Sequence, residues 1–178
     1  MANINNPHGL RPLGISMSGG PPVIDTFKKL VGLASAIYRW DPIARLADAS
    51  VSAWGGSTPD ITPGTSLYSG VAMNYSPAST AAEIHAVVNP DAMFEAQVDG
   101  SGLVEADLGL NANLVYAAGN TLTKISKWQV ASSTAATTAT LDVHLLALFS
   151  DAVNAFGQYA RFEVVFNKHR MNAGVAGV

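Results

Sequence analysis

The chain has 178 residues, a formal net charge of −3, only 13% charged side chains and no cysteine. That length suits one compact domain with an arm and is short for two domains. The acidic balance argues against bulk nucleic-acid binding, the missing cysteines exclude disulfides and thiolate metal sites, and no stretch has the length and apolarity of a membrane span.

Low charge beside 48% hydrophobic residues, much of it alanine and valine, suits surface buried against a partner or against copies of the same chain, with a tightly folded monomer as the alternative. Met1 to Pro22 is rich in Asn, Pro and Gly. Asn6-Pro7, Arg11-Pro12 and Pro21-Pro22 each push the preceding residue out of the α region, and Gly19-Gly20 adds a joint. Residues 1–25 therefore read as an extended N-terminal arm. The arm carries Ile4, Leu10, Leu13, Ile15 and Met17, more apolar side chains than a disordered tail holds. It docks either on a neighbouring subunit or along its own domain.

Residues 26–171 read as one β domain. Thr26 to Tyr38 fits strand and helix patterns alike, and strands are preferred because Gly32 weakens a helix. Asp41-Pro42 turns the chain, and Ile43 to Leu46 starts a strand. Trp54 to Gly64 is a loop dense in turn residues. Ser66–Tyr75 and Glu83–Val88 are further strands. Phe94, Ala96 and Val98 alternate with Glu95 and Gln97, the pattern of a half-buried strand. Leu122–Val130 reads as a strand, and Ala131–Thr140, built only of Ala, Ser and Thr, as a loop. In Leu141–Phe149, Val143, Leu145, Ala147 and Phe149 share a face. In Tyr159–Asn167, Ala160, Phe162, Val164 and Phe166 point inward, with Arg161, Glu163 and Val165 outward. Residues 172–178 form a small-residue, flexible tail. Short strands between turns predict a mainly β chain, a sandwich or barrel of jelly-roll type.

Catalytic signatures are missing. There is no Gly-x-Ser-x-Gly elbow, and Gly119-Asn-Thr-Leu-Thr-Lys124 lacks the second glycine of a phosphate loop. The four histidines are scattered; His85 and His144 lie in predicted strands and could meet across a sheet. No catalytic residue, metal or cofactor is expected. Trp54, beside Gly55-Gly56, is the candidate exposed platform, for a sugar or for a partner subunit. Trp40 and Trp128 read as core or interface residues.

Four segments carry a resemblance. Asn6-Pro-His-Gly-Leu-Arg-Pro-Leu13 resembles the opening of the head decoration, or cement, proteins of tailed bacteriophages. Ala36-Ile-Tyr-Arg-Trp-Asp-Pro-Ile43 and Asn89-Pro-Asp-Ala-Met-Phe-Glu-Ala-Gln-Val-Asp-Gly100 are similar to blocks of that family. So is the stretch from Asn154-Ala-Phe-Gly to Phe162-Glu-Val-Val-Phe-Asn-Lys-His169, and the order is the family's. Trp40 departs from the glycine usual before Asp41, and the Trp54–Pro63 loop differs.

The resemblance implies a jelly-roll-like domain without catalysis or cofactor. It implies binding to the major capsid protein on the outer face of the virion, after synthesis in a bacterial cytoplasm, and bridging of capsomers as a homodimer or a trimer. A dimer is preferred. Leu10, Arg11, Pro12, Leu13 and Trp54 are the expected contact residues, with Arg11 offering a planar fork to a carboxylate or to backbone carbonyls. The alternative is a β-sandwich module on the virion that binds a glycan or receptor.

Overall fold

The computed structural model describes residues 3–46, 48–53, 61–171 and 176–177. Eleven strands form two antiparallel sheets, and the one short helix among the described residues is a 3-10 turn at Glu105–Asp107. The strands are β1 (Arg11–Ser16), β2 (Ile24–Lys29), β3 (Pro42–Arg45), β4 (Val51–Ser52), β5 (Gly70–Ala72), β6 (Ala82–Val87), β7 (Ala92–Gln97), β8 (Asn111–Val115), β9 (Gln129–Ala136), β10 (Val143–Leu148) and β11 (Arg161–Phe166). The larger sheet has the order β1-β7-β11-β10-β8-β9 and the smaller β2-β6-β5-β3-β4. Consecutive strands part company between the sheets at β1–β2 and again at β6–β7.

The larger sheet curls until β9 returns to the end of β7. The Asp99 N–H donates to the Val130 carbonyl at 3.0 Å, and Val98 bridges Val130 in parallel. The curl follows from the alternating apolar face of each strand. Phe94, Ala96, Leu114, Val130, Leu145, Phe162, Val164 and Phe166 all turn inward and are buried in one cluster with Trp128. Phe94 and Phe166 meet as tilted rings, and Tyr68 stacks on Phe166 at 4.9 Å between centroids. The smaller sheet has its own core of Ile37, Ile43, Val51, Ala72, Ile84 and Ala86, closed by Phe27. Its outer strands, β2 and β4, approach one another.

The chain is thus mainly β, as expected, with several differences of detail. Residues 3–25 are extended but lie along their own domain, the second of the two readings of the arm. Arg11 pairs with Glu95 and Pro12 with Phe94, making β1 an edge strand. An edge tolerates Pro12, which has no N–H to donate. The boundary expected at residue 26 falls inside β2, where Ile24 pairs with Val87.

Leu122–Val130 is not a strand throughout. The Asn120 side-chain oxygen accepts the N–H groups of Leu122 and Thr123, closing a turn that leaves Leu122 91% exposed. The strand begins at Gln129 and runs to Ala136, into the stretch expected as a loop. Small polar residues suffice there because β9 borders the sheet and has little to bury. Of the tail at 172–178, the described part is residues 176–177, where the Gly177 N–H donates to the Thr137 carbonyl at 3.0 Å.

Candidate functional site

Both faces of β7 are buried, against the half-buried expectation: Glu95 is 0% and Gln97 2% exposed. The cover comes from the N-terminal segment. Gln97 accepts the Asn6 N–H on its Oε1 and donates Nε2 to the Ile4 carbonyl, so one side-chain amide extends the sheet by imitating a strand. Asn3 pins the start of the segment through Nδ2 to the carbonyls of Ala155 and Gln158, both at 2.8 Å. Gly9 has φ of 73° and lies so close to Ser126 and the Trp40 carbonyl that a Cβ would collide with both. Glycine there lets the chain turn down, so that Leu10 enters the main core and its N–H reaches the Trp40 carbonyl at 3.0 Å.

Next to this cover sits a buried ionic cluster. Glu95 is opposite Arg11 on β1, and their carboxylate and guanidinium are in direct contact. From β11, the Arg161 Nη1 donates to the Glu95 Oε1 at 3.1 Å, while its Nη2 meets Asp151. Both guanidinium groups lie over the Phe149 ring. His8 Nε2 is 3.6 Å from the Glu95 Oε1, and the His8 ring meets Trp40 edge-on. Burial holds the His8 imidazole below its ordinary range against the opposing pull of Glu95. The Arg161 hydrogen bond holds the Asp151 carboxyl below its own.

The four segments that carried the resemblance converge here. They supply His8 to Arg11, Trp40, Glu95, and the stretch from Asn154 that delivers Arg161. No family model, curated protein or solved structure matches this chain.

The expected contact residues have different fates. Leu10 is 1% exposed, inside its own core, and so is not presented to a partner in this fold. Arg11 has found its carboxylate within its own sheet, although its side chain stays 41% exposed. Pro12 and Leu13 are half-buried along β1. Trp54 lies outside the described residues. Trp128 is core, and Trp40 packs half-buried against the main core. His85 and His144 do not meet: the first bonds Thr26 in the small sheet, the second Asn111 in the large one. No group of three His, Asp or Glu suited to a metal occurs among the described residues.

Two features escaped sequence reading. One is Asp41, 4% exposed, whose Oδ2 accepts the Tyr38 N–H at 2.8 Å. Burial pushes its carboxyl up to about 7, opposed by bonds from Tyr38 and Ser126. The other is an exposed apolar tip where β1 hands over to β2. Ile15, Met17, Val23 and Ile24 flank Gly19-Gly20-Pro21-Pro22, and each is 45–59% exposed. Nearly half of the exposed large apolar side chains among the described residues fall within residues 4–31. The N-terminal density of Pro, Gly and Ile was the visible signal.

Proposed function

We propose that the chain is a virion structural protein that binds the outer capsid surface of a tailed bacteriophage and bridges capsomers, with no catalytic role. The observation that carries this reading is the apolar tip. It joins the outer strands of two different sheets, β1 and β2, and presents Ile15, Met17, Val23 and Ile24 beside a glycine-proline connection. Exposed apolar clusters of this kind mark protein contact surfaces. The partners are the major capsid protein and a second copy of the chain, a homodimer before a trimer. The jelly-roll likeness belongs to this reading and is supported by two antiparallel sheets with crossings at β1–β2 and β6–β7. The arm, as a docking element, is the tip and edge of β1 rather than a free tail.

Met17→Asp and Ile24→Asp place a charge on the tip without touching either core. Each is expected to weaken co-sedimentation with undecorated shells about tenfold or more, the effect of roughly 1.4 kcal/mol, with unchanged thermal melting. Wild-type binding by both variants sinks the proposal.

A further inference from the structure

A cleft of about 720 Å³ opens between the N-terminal cover and the segments around Trp40 and residues 120–129. That is within the size range of small-ligand sites. Its chemistry is uneven. Arg11, Lys127 and Arg161 line it, while the neighbouring Arg39 and Lys124 side chains lie over the rings of Trp40 and Tyr75. Against these three lining cations stand Glu95, paired with both Arg11 and Arg161, and, behind Arg161, Asp151. The cleft is therefore locally positive on a chain whose net charge is −3.

Its remaining polar lining is amide and hydroxyl. The side chains of Asn5, Asn6, Thr123 and Lys127 line the cleft, and the described residues offer them no intramolecular hydrogen bond. Gln129 spends its Nε2 on the Val98 carbonyl and keeps its Oε1. Asn120 spends its Oδ1 on its own turn and keeps its Nδ2. An amide offers a donor and an acceptor side by side, the complement of neighbouring hydroxyl groups.

Trp40, with φ of 73°, lines the cleft and is one of five non-glycine residues in the left-handed region among the described residues. Strain of this kind costs about 1–3 kcal/mol and gathers at binding sites.

We infer that this cleft binds an acidic saccharide, its hydroxyls met by the amides and its carboxylate by Lys127 and the exposed side of Arg11. The inference stands apart from the capsid reading: a decoration protein without it loses nothing of its shell contacts.

The test is calorimetric titration of the full chain with three probes of similar length: a hyaluronan tetrasaccharide, which carries glucuronate; chitotetraose, which is neutral; and tetraglutamate, which is acidic without being a sugar. The acidic saccharide is expected to bind with a Kd of roughly 1 mM or tighter, and both other probes at least about tenfold more weakly. Lys127→Ala and Asn5→Ala are expected to weaken binding about fivefold or more without lowering the melting temperature. Failure of the acidic saccharide to bind overturns the inference. Equal binding of tetraglutamate replaces the saccharide with an acidic peptide and overturns it too. Binding untouched by both substitutions places the sugar elsewhere on the molecule and likewise overturns it.

Discussion

Glu95 is the residue on which the N-terminal segment is fastened. A fully buried carboxylate is tolerable only because guanidinium groups reach it from both neighbouring strands. Glu95→Gln keeps the shape and removes the charge, leaving Arg11 and Arg161 without their shared counter-ion. Removing one partner of a buried pair costs about 3–5 kcal/mol. Arg11 is partly exposed, so solvent relieves some of this and the lower end is expected, about 3 kcal/mol in urea unfolding. A loss below about 1 kcal/mol, typical of a surface pair, contradicts the burial. The same cluster changes what Arg161 does. Read as an outward residue, it proves to hold Glu95 and Asp151 together.

Asp41 gives a pH signature of definite sign. Its carboxyl titrates near 3.8 in the unfolded chain and is raised to about 7 in the fold. The folded state therefore holds the extra proton between those values, and this contribution to stability fades as pH climbs from about 4 to 7. Asp41→Asn keeps an oxygen for the Tyr38 N–H and cannot ionise. The variant is expected to match wild type near pH 4 and to exceed it at neutral pH by on the order of 3–4 kcal/mol. Burial also lowers His8, His144 and His169, whose contributions are lost as pH falls below the ordinary histidine range. Those act equally on both proteins and cancel in the difference. A constant gap between the two unfolding curves across that range contradicts the assignment.

At the scale of elements, β1 is a structural strand. Deleting residues 1–17 removes Leu10 from the main core and uncovers Glu95 and Gln97. Loss of a buried leucine side chain alone costs about 2–5 kcal/mol. At about 2–4 °C per kcal/mol for a domain of this size, the truncated chain is expected to melt roughly 10 °C or more below the full chain. An unshifted melting curve means the segment is a detachable arm after all.

What was legible in the sequence follows the same division. The inward faces of β7 and β11 were readable because Phe94, Ala96, Phe162, Val164 and Phe166 alternate strictly, and all are buried. The burial of Glu95 was not readable, because its cover arrives from residues 3–16, far away in the chain. β9 was hidden by its composition. An Ala/Ser/Thr run has no apolar period to betray a strand, and only pairing with β8 reveals it. Arg11 was singled out for its fork toward a partner; in the fold its guanidinium meets Glu95 of the same chain.

For the whole molecule, two sheets with separate cores leave seven of the fifteen exposed large apolar side chains among the described residues within residues 4–31. Under the proposed capsid role, the apolar tip between β1 and β2 supplies one of many identical small contacts to the shell. The measurement closest to this claim is the reconstruction of an intact virion at a resolution that separates β strands. Density for this fold on the outer capsid lattice, with the Met17–Ile24 tip against the shell, is the expected result. Density confined to a tail fibre, or none on the particle, contradicts it.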